Sequence, residues 1–180
     1  MKEIETKIID FDEKGLRASL KSMKAKPMGK AFYRRYVFDM HPNVTAQTYD
    51  EFVRLRTDGK RTTLTYKYRK GKGLANTEEI ELEIGDFDKA AKIIKKLWKV
   101  RKPYYQENKV EKWRYKDAEI EIVRWPLVKP YVEIEAPRAR SVRAAIKELG
   151  IKGTVLGNTN LIEVFKRSGK YGKDVGDLRF

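Results

Sequence analysis

The chain has no cysteine and a single histidine, His41, in 180 residues. Disulfide staples, thiolate zinc sites and thiol nucleophiles are therefore excluded, and a histidine-based metal cluster cannot be assembled. Any metal would need oxygen ligands. No apolar run approaches the roughly 18 residues of a membrane-crossing helix. Met1-Lys2-Glu3-Ile4-Glu5 is polar where a secretory leader places its apolar stretch. These absences predict a cytoplasmic protein with no membrane partner. There are only six prolines, and no repeat, low-complexity tract or linker divides the sequence, so residues 1–180 read as one domain. A domain of that size buries roughly two-thirds of the surface that its unfolded chain exposes.

Acidic residues are in deficit: 26 Asp+Glu against 41 Lys+Arg leave a net charge of +15. A surplus of that size raises the local concentration of anions. Nucleic acid, lipid headgroups and small polyphosphates all satisfy it, so pattern has to choose among them. The 41% hydrophobic content suffices for a core.

The dominant pattern is alternation in which the polar members are charged. Glu3, Glu5 and Lys7 alternate with Ile4, Thr6 and Ile8, and a strand of period two puts those three charges on one face. Arg54 and Arg56 alternate with Val53 and Leu55. Thr63, Thr65 and Lys67 alternate with Leu64, Tyr66 and Tyr68. Glu79, Glu81 and Glu83 alternate with Ile80, Leu82 and Ile84. A further strand is predicted from Glu119 to Trp125, and Glu133 and Glu135 alternate with Val132 and Ile134. Asp58-Gly59, Gly71-Lys72-Gly73 and the segment from Trp125-Pro126 to Lys129-Pro130 are turn signals that favour antiparallel neighbours.

Helical periodicity follows Asp86 as N-cap through Phe87, Ala90, Ala91, Ile94, Leu97 and Trp98, and recurs through Val142, Ala145, Ile146 and Leu149 before Gly150. Weaker helical patterns cover about Glu13 to Met23 and Leu161 to Arg167. The result is an α+β, mainly β fold in which amphipathic helices cover the apolar side of an antiparallel sheet.

An antiparallel sheet with one wet face shows charged alternation routinely. Here the signs are also sorted by strand. Carboxylates gather in the first, fourth and last of these strands, and Arg54, Arg56 and Lys67 gather in the two between. Segregated clusters of both signs suit a polyanion bound with divalent cations, because cations hold phosphate oxygens and carboxylates hold the metals that bridge to them.

Glu3-Ile4-Glu5-Thr6-Lys7 resembles the ExExK signature of the CYTH superfamily, the triphosphate tunnel metalloenzymes. These include class IV adenylate cyclases, thiamine triphosphatases and inorganic tripolyphosphatases. The resemblance continues in order through Phe52-Val53-Arg54-Leu55-Arg56 with Asp58-Gly59, Leu64-Thr65-Tyr66-Lys67, Glu79-Ile80-Glu81, Tyr105-Gln106-Glu107, Trp125-Pro126 and Pro130-Tyr131-Val132-Glu133-Ile134-Glu135. It closes with Tyr171-Gly172-Lys173-Asp174 and Leu178-Arg179-Phe180.

The resemblance implies an eight-stranded antiparallel barrel with a charged tunnel and helices outside. It further implies Glu5 and Lys7 as catalytic residues, and Lys7, Arg54, Arg56 and Lys67 as the grip on a triphosphate or polyphosphate. Glu3, Glu5, Glu133 and Glu135 would be the ligands for Mg2+ or Mn2+, and Glu79, Glu81, Glu83 and Glu121 the tunnel wall. Hydrolysis of a linear triphosphate is the leading activity it implies, ATP cyclisation is the alternative, and a monomer or homodimer is the expected state.

Two departures stand out. Relatives carry a Lys-x-Arg pair where this sequence has Asn108 and Val110, and a metal-ligating Asp where it has Val123. Lys112 and Arg114 share the parity of Val110 and are the cations that could stand in. A non-catalytic polyphosphate or nucleotide binder is therefore a second reading. A nucleic-acid-binding barrel is a weaker third, resting on basic and aromatic residues interleaved in Thr65 to Lys72 and Leu97 to Tyr105. The remaining features have plainer readings. His41 is a surface histidine, Gly71 and Gly73 are turn residues, Trp98, Trp113 and Trp125 are packing residues, and Lys92, Lys95, Lys96 and Lys99 form a solvated helix flank.

Overall fold

Aspartates open the first two helices of the chain, Asp86 as the sequence predicts and Asp12 in addition. In this computed structural model, which describes residues 4–40, 51–69, 77–99, 102–170 and 176–180, the elements follow in order. They are β1 (Ile4–Ile9), α1 (Glu13–Ser22), β2 (Lys26–Asp39), β3 (Glu51–Thr57), β4 (Thr62–Arg69), β5 (Thr77–Ile84), α2 (Phe87–Leu97), β6 (Tyr104–Tyr115), β7 (Ala118–Arg124), β8 (Tyr131–Ala136), α3 (Ala139–Glu148), β9 (Thr154–Gly157), α4 (Leu161–Arg167) and β10 (Asp177–Leu178). The Asp12 carboxylate accepts from the Lys14 and Gly15 amides at 3.1 Å, and Asp86 accepts from the Lys89 amide at 2.9 Å. Each satisfies donors that a helix start leaves open. His41 and the Gly71-Lys72-Gly73 turn lie outside the described residues.

Two compact units emerge, Met1–Ala31 with Lys109–Lys170 and Phe32–Asn108 with Tyr171–Phe180. The first unit has the strand order β6-β7-β8-β1-β9, with antiparallel β6-β7, β7-β8, β8-β1 and β1-β9 pairs. The inward face of its sheet presents Ile8, Trp113, Ile120, Ile122, Val132 and Ile134. Leu16 and Leu20 of α1 and Val142 and Ala145 of α3 pack against them. The i, i+4 spacing of Leu16 and Leu20 and the i, i+3 spacing of Val142 and Ala145 are what turn one face of each helix onto the sheet.

The second unit has the order β5-β4-β3-β2-β6, and β10 lies parallel to β6. Its core joins Phe38 and Leu55 to Phe87 and Ala91 of α2, with Val53 and Leu64 alongside. Asp58-Gly59 makes the β3-β4 reversal: Asp58 accepts from the Lys60 and Arg61 amides at 2.9 and 2.8 Å, and Gly59 takes the left-handed φ of 90°. The mainly β, antiparallel fold with amphipathic helices agrees with the sequence reading. The strand inventory is richer, at ten among the described residues rather than eight. β5 and β9 each have one paired neighbour there.

One ion pair ties α1 to the sheet of the first unit. The Arg17 guanidinium donates to both Glu111 oxygens, at 2.7 Å from Nη2 and 3.2 Å from Nε, and Trp113 Nε1 donates to the same carboxylate at 3.0 Å. Arg17 in turn is pushed up by Glu111, and Glu111 is held below the usual carboxylate range by Arg17 despite its burial. Removing one partner strands the other, so Arg17→Ala is expected to lower unfolding stability by about 2–4 kcal/mol at pH 7. A carboxylate with a depressed folded-state pKa contributes fully above its unfolded value and loses that contribution in acid, below about pH 4. Urea unfolding at pH 7 and pH 3 checks both statements: the gap between wild type and variant should be wide at the first and narrow at the second.

Candidate functional site: charged sheet faces

In the first unit, the face of the sheet turned away from Ile8 and Ile134 is built in rows. Register pairs Lys112 with Glu121, Glu121 with Glu133, and Glu133 with Lys7. One step along, Arg114 pairs with Glu119, Glu119 with Glu135, and Glu135 with Glu5. Each row crosses four strands, because period two and antiparallel pairing bring the same parity to the same side.

Lys7 is buried, and its ammonium bonds Glu5 and lies 3.5 Å from Glu133. Lys112 bonds Glu121 and stands 3.4 Å from Glu119, and Arg114 holds Glu119 at 2.9 Å. Burial pushes the Glu121 carboxyl up; Lys112 opposes the shift, and Glu133 and Glu119 add to it by repulsion. Five carboxylates thus crowd three cations on this face.

Val110 and Val123 stand directly opposite one another in the next row, both buried, with Tyr131 beside Val123. The Tyr131 hydroxyl donates to Glu133 at 3.1 Å and accepts from Trp125 Nε1 at 3.1 Å. An aliphatic pair capped by a tyrosine therefore closes one end of the charged face. Lys112 and Arg114 are committed to Glu121 and Glu119.

The second unit carries a charged face of its own. Val37, Arg54, Thr65 and Glu81 form one row, Arg35, Arg56, Thr63 and Glu83 the next, and Phe52, Lys67 and Glu79 flank the first. Arg54 donates to Thr65 Oγ1 at 3.5 Å, and that hydroxyl donates to Glu81 at 2.8 Å. Glu79 lies 3.1 Å from Lys67 and 3.9 Å from Arg54. The Arg56 guanidinium sits 4.8 Å from the centre of the Tyr33 ring, and Arg35 bonds Asn108. Thr63 is buried, and its hydroxyl has no hydrogen-bond partner. Glu83 stands apart from this cluster: it pairs with Arg61 at 3.0 Å where both side chains are more than 60% exposed.

Within the first unit the structure gathers Glu5, Lys7, Lys112, Arg114, Glu121, Glu133 and Glu135. Within the second it gathers Arg54, Arg56, Lys67, Glu79 and Glu81. Glu3 lies outside the described residues. Sequence reasoning missed Glu119 and Arg35 as members of these rows, and placed Thr65 on the charged face without giving it a role. The alternation around Glu119 and Thr65 already held their signal. Arg35 had none, since Arg34 and Arg35 put a cation on each face of β2 and no alternation results.

The carboxylates Glu5, Glu119, Glu121, Glu133 and Glu135 are hard oxygen donors of the kind Mg2+ and Mn2+ take. Glu5 and Glu133 are turned onto Lys7, and Glu121 and Glu119 onto Lys112 and Arg114, and no group of three or more acidic side chains among the described residues already converges as a metal-ligand set. Among the described residues, no helix is long and apolar enough to cross a membrane.

Comparison with known proteins places this architecture. No curated protein matches the chain. Among solved structures, the PH1012 protein of Pyrococcus horikoshii is 19% identical with a TM-score of 0.66, over 83% of this chain and 91% of that one. A candidate adenylate cyclase from Vibrio parahaemolyticus is 11% identical with a TM-score of 0.67, over 91% and 97%. The candidate adenylyl cyclase HpAC1 from Hippeastrum, described as having a dominant triphosphatase activity, is 15% identical with a TM-score of 0.60, over 93% and 95%. These similarities give the fold. The sequence itself matches the CYTH domain over residues 1–155, and the chain belongs to the CYTH family.

Proposed function

We propose that this CYTH protein hydrolyses the terminal phosphoanhydride bond of a linear triphosphate with the help of a divalent cation. The observation that carries the reading is the sorting of charge in register: Arg54, Arg56 and Lys67 on adjacent strands of one unit, and Glu5, Glu133 and Glu135 on adjacent strands of the other. The buried, unpartnered Thr63 hydroxyl between Arg56 and Glu83 adds a polar group whose hydrogen bond a phosphate oxygen would supply.

In this reading Arg54, Arg56 and Lys67 bind phosphate oxygens, and Lys7 neutralises charge that develops on the transferred phosphoryl group. Glu5 orients the attacking water and takes its proton as the new P–O bond forms and the anhydride oxygen leaves with the remaining diphosphate. The donor chemistry of Glu5, Glu133 and Glu135 fits Mg2+ or Mn2+, and those residues would hold it. Such a cation, when bound, supplies Lewis-acid polarisation of the phosphoryl group. Glu79 fixes Lys67 and Arg54 in place and offsets their mutual repulsion, and Glu81 holds the Thr65 hydroxyl.

The facing pair Val110–Val123 favours one second reading, a binder of polyphosphate or nucleotide that does not turn it over. The hydrophobic pair replaces a cation and a carboxylate on the charged face, and phosphoryl transfer depends on charge placement more than binding does. Hydrolysis and binding are separable by one comparison.

Incubated with tripolyphosphate, ATP or thiamine triphosphate and Mn2+ or Mg2+, the protein should release phosphate. Arg54→Ala with Lys67→Ala, and separately Glu133→Gln with Glu135→Gln, should lower kcat/KM by about 100-fold or more. Calorimetric binding of tripolyphosphate without phosphate release would instead establish the binder, and cyclic AMP as the main product from ATP would establish cyclisation.

A thermal measurement tests the carboxylate set without turnover. Lys7→Ala leaves Glu5 and Glu133 without their shared counter-charge, so it should lower stability by about 2 kcal/mol. Millimolar Mn2+ should raise its Tm more than that of the wild type. An identical Tm with and without Mn2+ in both proteins would rule these carboxylates out as metal ligands.

A further inference from the structure

On the helix side of the second unit's sheet lies a cavity of about 720 Å3, bounded by the C-terminal end of α2, residues 102–105 and β10. Tyr36 lines it. That residue is in register with Leu55, and Leu55 with Leu64, on the face that packs on α2. Arg54, Arg56 and Lys67 occupy alternate positions on the opposite face, and none of them lines the cavity. The space is therefore separate from the charged rows of this unit.

Four basic side chains surround it, Lys95, Lys99, Lys102 and Arg179, against one carboxylate, Asp177. Asp177 is already bonded to Arg179 at 2.7 Å. Lysines near a helix C-terminus suit its negative end, which accounts for Lys95. Lys102 and Arg179 come from other parts of the chain, so helix stabilisation does not explain why they converge here.

Two of the cations are fixed on aromatic faces: the Lys95 ammonium is 3.6 Å from the Tyr36 ring centre, and the Arg179 guanidinium is 4.0 Å from that of Tyr105. Burial and a hydrogen bond to Glu107 push the Tyr105 hydroxyl up to about 12, so it stays neutral and does not offset them. Trp98 and Tyr104 complete an aromatic wall. Lys99 and Lys102 are exposed at the rim.

A volume of this size falls within the range of small-molecule pockets, roughly 300–1,000 Å3. A bare phosphate would use the cations and none of the aromatic wall. A planar base with an attached phosphate would use both, as aromatic rings stack with any base and lysines attract the phosphate. We propose that this cavity is a second ligand site, for a nucleoside phosphate, with the phosphate held by Lys99 and Lys102 and the base lying against Trp98 and Tyr104. It is independent of the triphosphate reading, because no residue assigned to that chemistry takes part.

Titration calorimetry of the full chain with AMP, in the absence of divalent cations, tests it, with inorganic phosphate and a short oligoadenylate as parallel probes. AMP is expected to bind with one-to-one stoichiometry, and Lys99→Glu combined with Lys102→Glu should weaken it by about tenfold or more, as reversal of two charges at the phosphate would. Both lysines are exposed, and an unchanged circular dichroism spectrum would show that the variant is folded. Arg54→Ala with Lys67→Ala should leave AMP affinity unchanged, and the lysine variant should keep wild-type hydrolysis of tripolyphosphate. The proposal is overturned by absent AMP binding, by binding that survives charge reversal, or by binding lost with Arg54 and Lys67. It is equally overturned if inorganic phosphate binds as tightly as AMP, which would make the site one for bare anions, or if oligoadenylate binds far more tightly, which would make it a nucleic-acid surface.

Discussion

A β-strand that buries every second side chain must present the others together on its second face, and a row of like charges on that face can persist only if something neutralises it. This constraint organises both sheet faces. In the first unit Lys7 is drawn out of water between Glu5 and Glu133, and Lys112 and Arg114 answer Glu121 and Glu119. In the second, Glu79 answers Lys67 and Arg54, and Glu81 accepts from the Thr65 hydroxyl. Ion pairs of this half-buried kind contribute little net stability when desolvation is counted. Their significance is placement: each charged group is held by its neighbour in a fixed position, which is the condition for electrostatic catalysis.

The hydrophobic side supplies the rigidity on which that placement rests. Ile120, Ile134 and Val132 alternate with the glutamates of β7 and β8 and are fully buried under α1 and α3. A slip of one residue in either strand would exchange the two sets, driving carboxylates into the core. The buried face thus fixes the register that brings Lys7 opposite Glu133. The same packing explains how Val110 and Val123 end one charged face without disrupting the sheet, since two facing aliphatic groups satisfy each other.

The cavity beside α2 follows a different rule. There Lys95 and Arg179 rest on rings, Arg179 pairing with Asp177 as well, and an ammonium on an aromatic face keeps its charge available to an anion. β10 makes this possible: Leu178 is buried and its strand lies along Gln106, which carries Arg179 onto Tyr105.

Much of this protein was determined by local sequence. Clean alternation marked β1, β3, β4, β5, β7 and β8, Asp86 as N-cap with apolar spacing marked α2, and apolar spacing alone marked α1, α3 and α4, whose caps Asp12 and Asn160 in α1 and α4 only the structure revealed. Most of the charged residues that now share faces were legible too, because parity within a strand requires no knowledge of its neighbours. β2 was not legible, as Val37 and Phe38 are both buried and its apolar residues point to both sides. β10 is two residues long and lies in a glycine-rich tail. Only tertiary structure decided which carboxylate meets which cation, that Lys112 and Arg114 answer Glu121 and Glu119, and that Lys95 and Arg179 share a cavity. The reason is physical: period two fixes the side of a strand on which a residue stands, but the residue it faces is set by register between strands distant in sequence.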